Sequence, residues 1–282
     1  MKNESINFLT FDIEEWFRAN YNYVKIPNKI EDINLESNVD RLIEICDKYN
    51  VKSTCYVLGD VAKRNLRIVK KLFDNGHEIA SHGNAHKQVC SMSQKEFKED
   101  LHSSTCILEQ IIGEKVVGFR APSWSIKKEN IEWFYETLKE EGYVYSSSVY
   151  PAKHKLFGIE GFTKTPHYPT DHNILEIPQS LTNIFGFQCG YAGGAFLRLF
   201  PHWFIERSIK RSNDKNEPVF LYLHPREIDA TGERLSLNMV DSFFHYYNVG
   251  TRCEQKFCDL VQKYANSFMK MSDFAARYHH VL

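Results

Sequence analysis

The strongest constraint on the fold is an alternation of two periodicities along residues 6–229. Short apolar runs recur as "INFLTFDI", "KSTCYVLG", "HEIAS", "VVGFRAP", "YVYSSSV", "ILEIPQS" and "VFLYLHP". Each has the length and the β-branched or aromatic content of a strand. Most of the gaps between them hold segments of helical period, at 34–50, 62–76, 93–113 and 130–142. The third of these opens on Ser93 with Glu96 three residues on, the pattern of a capping box. The second closes on Asn75-Gly76, a usual helix stop. Strands separated by helices must pair in parallel, so the chain predicts an α/β fold. About seven short strands predict a distorted (β/α) barrel, within a single domain over 1–282 that ends in a mainly helical segment from about 235.

Such barrels gather chemistry where their strands end. Along the first strand, period-two alternation puts Phe8, Thr10, Asp12 and Glu14 on one face and Leu9, Phe11 and Ile13 on the other. The second set suits packing against helices. The first brings two carboxylates to one side, where they are either solvated or bound to a cation. The third strand ends in "SHGNAH". His82 and His86, at i and i+4, face one way on a helical turn, and imidazole is a common ligand for Zn²⁺. Two histidines and one carboxylate leave positions open for water and substrate, the pattern of a catalytic ion. Zn²⁺ suits this set; Co²⁺, Ni²⁺ and Fe²⁺ fit it too. Arg120 ends the fourth strand just before Pro122, where it can orient a carboxylate. Trp124 can wall a pocket, and Trp16 and Tyr150 are further aromatic candidates for contact with substrate. His224 follows "FLYL" and is either a general acid, a third ligand or a structural histidine.

Composition narrows the partners. Lys and Arg total 35 against 36 Asp and Glu, so nothing in the charge balance points to nucleic acid or an anionic membrane. The seven cysteines form no CxxC pair and predict free thiols in a reducing compartment. No stretch reaches the roughly 18 apolar residues of a transmembrane helix. The N-terminus lacks the pattern of a signal peptide. The expectation is a cytoplasmic protein, working on nucleotide-linked precursors or on lipid-carried ones at the inner membrane face.

The ordered strand ends "TFDIEE", "SHGNAH", "RAPSW", "YSSSVYP" and "LYLH" resemble the motif series of the polysaccharide deacetylase family. This family is also called the NodB-homology group or carbohydrate esterase family 4. The subgroup with an aspartate–x–acid first motif and an "HPxEID" ending is the most similar. It includes deacetylases of polysaccharide and surface-glycan synthesis. The resemblance implies a divalent metal ion and removal of an N-acetyl group from an amino sugar, whether in a polysaccharide, a glycan or a glycan precursor. It implies Asp12 as general base, held by Arg120, with His82 and His86 as ligands and His224 as acid. The family's second aspartate falls on Ile13, so the third ligand passes to Glu14, with Glu15 adjacent. The fourth motif puts Ser146, Ser147 and Ser148 where an aspartate often supports the histidine. Either a serine, or Glu227 or Asp229, then supports His224. Alternative readings are a deformylase or small-amide hydrolase on the same fold, or a carbohydrate-binding protein with a degenerate site.

Overall fold

The computed structural model describes residues 5–18, 31–153 and 158–279, the last without its side chain. Seven strands form one parallel sheet: β1 (Asn7–Ile13), β2 (Thr54–Val57), β3 (Glu78–Ser81), β4 (Gly118–Phe119), β5 (Tyr145–Ser146), β6 (Leu175–Glu176) and, after a hairpin, β9 (Val219–Leu223). Their order is β6-β5-β4-β3-β2-β1-β9, a curled half-barrel with its seam between β6 and β9. At the seam, Tyr222 N donates to the Ala192 carbonyl, and Gly193 pairs in parallel with Tyr222. A Cβ on Gly193 would enter the Tyr222 ring, so this close approach requires glycine. The hairpin, β7 (Leu181–Ile184) with β8 (Phe187–Gly190), forms a separate two-stranded sheet. Sequence pattern did not signal it: its turn is Phe185-Gly186, both at positive φ, and it carries no Asn-Gly or Asp-Gly pair.

The helices are α1 (Leu35–Lys48), α2 (Gly59–Arg64), α3 (Leu66–Asp74), α4 (Gln94–Ile112), α5 (Ile131–Glu140), α6 (Gly194–Leu199), α7 (His202–Asn213), α8 (Met239–Tyr246), α9 (Thr251–Tyr264) and α10 (Met271–His279). The capping box forms as the sequence predicts, with Glu96 N donating to Ser93 Oγ and Ser93 N to Glu96 Oε2. The helix expected over 62–76 is instead two, broken at Asn65, whose backbone leaves the helical region.

Alternation along β1 divides the interior as the sequence pattern requires. Leu9, Phe11 and Ile13 join the large core between sheet and helices, with Val39, Leu42, Phe97 and Phe257 among its members. Phe8 faces inward, in a second cluster with Tyr56, Tyr145, Phe220 and Tyr222. Helix α10 belongs to this inner cluster and plugs the end where the strands begin. Phe274 meets Phe8 edge-on at 5.1 Å, and Met271 N donates to Thr54 Oγ1 at 3.0 Å. With that end filled among the described residues, the polar residues gather at the strand C-termini, the mouth of the half-barrel.

Candidate active site

Asp12 and Glu14 reach the mouth from the end of β1. Asp12 Oδ1 accepts from Arg120 Nη1 at 2.7 Å. Arg120, past the end of β4, is fully buried. It also donates to Thr10 Oγ1 at 3.0 Å, to the Ser147 carbonyl at 3.4 Å and to Ser147 Oγ at 3.3 Å. Its guanidinium lies 4.0 Å from the Tyr56 ring centroid and 5.0 Å from that of Phe220. A buried cation needs such partners, since desolvation alone would cost several kcal/mol. The arrangement orients Asp12 with Oδ1 occupied and Oδ2 facing His224 Nε2 at 3.9 Å.

The structure brings Glu14, His82 and His86 together, each offering one ligand atom within 4.8 Å of the others. Glu14 Oε2 lies 2.8 Å from His86 Nε2 and 3.7 Å from His82 Nε2. Glu15 turns away and is paired with Arg18 and Arg64. The two histidines do not meet on a helical turn as their spacing suggested. "SHGNAH" is an irregular loop in which Gly83 (φ +77) and His86 (φ 57) take left-handed backbone, and the rings sit 5.4 Å apart. Asn and His tolerate that region better than most residues, but it is strained for any side chain, and such strain concentrates at functional sites.

The fit to a metal ion rests on donor chemistry. His82 Nδ1 lies 2.8 Å from the Arg120 carbonyl, which can only accept, so Nδ1 carries the proton. Nε2 therefore presents a lone pair toward Glu14. Burial drives the His82 pKa down to about 4, so the ring is neutral at pH 7. Glu14 Oε2 is buried and takes no hydrogen bond of proper geometry among the described residues. Burial alone would raise the Glu14 pKa, yet His86, His224 and His82 hold it below the usual carboxylate range. A buried carboxylate facing the His82 lone pair, with His86 Nε2 beside it, suits a divalent cation among them.

His224 follows β9. Its Nε2 faces Glu14 Oε1 at 3.7 Å, and its Nδ1 lies 3.2 Å from Glu227 Oε2. The partner is thus Glu227. Asp229 is engaged elsewhere, accepting from Asn34, Asn38 and Thr231. The serines also serve other groups: Ser147 holds Arg120, and Ser148 Oγ accepts from Ala121 N. Burial works to lower the His224 pKa, but the Glu227 bond and the charges of Glu14 and Asp12 raise it overall. Burial works to raise Glu227, while His224 and Arg198 bring it down to about 2.

Arg198 is the site residue that sequence reasoning missed. It is buried on α6, donating to Glu227 Oε1 at 2.9 Å and to the carbonyls of Tyr247 and Phe244. Its signal was a lone charge in the apolar run "GAFLRLF". The aromatic candidates are nearly buried. Trp124 lies edge-on to Tyr222, which in turn lies edge-on to His224. Tyr150 belongs to the inner cluster. Trp16 lines a neighbouring cleft.

Residues 3–141 match the family described as polysaccharide deacetylase, and residues 147–276 match a domain of unknown function (DUF3473). A Helicobacter pylori peptidoglycan deacetylase is 27% identical over 114 residues, 40% of this chain and 38% of that protein. A Bacillus cereus peptidoglycan-N-acetylglucosamine deacetylase is 23% identical over 120 residues, 43% and 44% of the two. The chain spans less than half the length of these relatives. Among solved structures, a protein assigned as a polysaccharide deacetylase from Mycobacterium smegmatis superposes with TM-score 0.64 at 19% identity, covering 98% of this chain and 91% of its own. An allantoinase superposes with TM-score 0.65 at 15% identity, covering 99% and 92%. These superpositions establish the shared fold.

Proposed function

The chain belongs, through its N-terminal half, to the polysaccharide deacetylase family, and from that premise we propose that it is a metal-dependent hydrolase. Its substrate would be an N-acetylated amino sugar of a polysaccharide or glycan precursor. The observation that carries the metal dependence is the orphaned Glu14 Oε2, buried among imidazole nitrogens. A divalent ion held by Glu14, His82 and His86, with Zn²⁺ the first candidate, would polarise the acetyl carbonyl and acidify water.

The residues of the chain divide the remaining work. Asp12, fixed at Oδ1 by Arg120, takes a proton from the attacking water at Oδ2. His224 gives a proton from Nε2 to the departing sugar amine, which would otherwise be a poor leaving group. Glu227 holds the opposite ring nitrogen, so Nδ1 stays protonated and Nε2 is the atom that exchanges protons. The raised pKa of His224 keeps the acid form available near neutrality. Trp124 packs edge-on against Tyr222, and Tyr222 against His224, which supports the ring in place. No helix among the described residues is long and apolar enough to cross a membrane.

The test is metal content by mass spectrometry on the purified protein, beside acetate release from N-acetylglucosamine oligomers. One divalent ion per chain, lost in His82→Ala and His86→Ala together with activity, supports the proposal. Acetate release that survives chelation and both substitutions overturns it.

A further inference from the structure

Beside the turn that follows His224 lies a second cleft, outside the catalytic group. The turn is the short helix Pro225–Ile228. The cleft is shallow and open, lined by this turn, Trp16, the Gly232–Arg234 loop, and His245 and Tyr246 of α8.

Arg226 enters this cleft. Its Nε is buried, and it finds no hydrogen-bond partner among the described residues. Arg226 as a whole is half-buried, and the two buried arginines are treated differently: Arg120 is spent on Asp12 and Ser147, and Arg198 on Glu227 and two carbonyls. Arg234, across the cleft, lies over the Tyr246 ring at 5.3 Å, which holds a second guanidinium at the rim. Two acids also line the cleft. The oxygens of Asp229 are occupied by Asn34, Asn38 and Thr231, so it makes no demand on either arginine. Glu233 is exposed, and no ion pair joins it to Arg226 or Arg234 among the described residues.

We propose that this cleft is a substrate subsite for an oxyanion carried by the glycan near the reacting amide, with Arg226 as its principal donor and Trp16 as a wall for the sugar ring. A guanidinium binds carboxylate or phosphate oxygens with two parallel N–H donors, and an unsatisfied buried Nε is ready for this. The oxyanion would be a uronate carboxylate or a glycosyl phosphate. The proposal rests on the deacetylase reading for the identity of the ligand, and its test separates the two.

Binding is measured by calorimetry on metal-loaded protein carrying Asp12→Asn, so that turnover does not interfere. The probes are a tetrasaccharide of alternating glucuronate and N-acetylglucosamine, UDP-N-acetylglucosamine, and the neutral N-acetylglucosamine tetramer. One or both anionic probes should bind about tenfold to a hundredfold tighter than the neutral one, the worth of a charge-assisted hydrogen bond; which of them does so identifies the source of the oxyanion. Arg226→Gln should remove the preference and leave the neutral probe unchanged. Exposed Glu233→Gln should tighten anion binding, and it decides the matter if Arg226→Gln fails to fold. Equal binding of neutral and anionic probes, or anion binding unmoved by both substitutions, overturns the subsite. Anion-selective binding with no acetate released by the wild-type protein overturns the deacetylase reading and leaves the subsite standing.

Discussion

Glu14 and Glu78 are buried carboxylates at opposite ends of the same sheet, 3% and 9% exposed. At the plugged end, Glu78 accepts from Thr54 Oγ1 at 2.6 Å, Tyr145 OH at 2.7 Å and Ser272 N at 3.1 Å. These donors fill its oxygens. Burial still raises its pKa, because none of its hydrogen-bonding neighbours is a cation. At the mouth, Glu14 has an oxygen with no proper hydrogen bond and three imidazoles around it, and its pKa is lowered. A satisfied buried acid ties elements together: Glu78 joins β2, β3, β5 and the start of α10. An unsatisfied one is costly for the fold unless something else occupies the space.

The two ends should therefore dissociate under mutation. Glu14→Gln should cost about 10³-fold or more in deacetylation and abolish metal retention, with little loss of stability in the metal-free protein; activity assays and metal analysis check this. Glu78→Gln should do the reverse, retaining metal while losing about 1–3 kcal/mol in urea unfolding, since an amide cannot accept from all three donors. If Glu78→Gln sheds metal at undiminished stability, the contrast fails.

Arg120→Met touches both qualities. It strands Asp12 in a buried site and should destabilise by about 3–5 kcal/mol, read from denaturant midpoints.

The pair His224–Glu227 extends the comparison to pH. Glu227 is depressed to about 2 from an ordinary value of 4.5, so it contributes stability that is present above pH 4.5 and lost as pH falls toward 2. His224 is raised, so its contribution is present below its ordinary 6.5 and lost as pH rises through its folded value. The stability gap between wild type and Glu227→Gln, about 2–4 kcal/mol on the acid side, should close between pH 4.5 and 2. In the rate profile, the alkaline limb should move to lower pH in Glu227→Gln. An unmoved limb would separate Glu227 from the acid. The smallest effect belongs to Ser93→Ala, about 1 kcal/mol for a lost helix cap far from the site, with activity unchanged.

Much of this was legible before any coordinates. The parallel α/β architecture and the inward face of β1 follow from period alone, and the capping box at Ser93 follows from residue type. Asp12, Glu14, His82, His86, Arg120 and His224 stand out because reactive residues sit at strand ends. Other features were not legible. The break at Asn65 interrupts an unbroken helical pattern, and the Phe185-Gly186 hairpin lacks the usual turn residues. Arg198 is separated from Glu227 by 28 residues, and no local pattern links them.

The seven strands of the parallel sheet and the residue types available at its mouth follow from local periodicity and residue type, with no need of distant contacts. Only the tertiary structure decided between neighbours. It turned Glu14 inward and gave Glu15 to Arg18 and Arg64. It chose Glu227 over Asp229 and the serines as the partner of His224, and it left Arg226 Nε without a hydrogen-bond partner among the described residues. Those choices depend on which side chains from distant segments reach the same few ångströms, and a hydrogen bond is decided at that range.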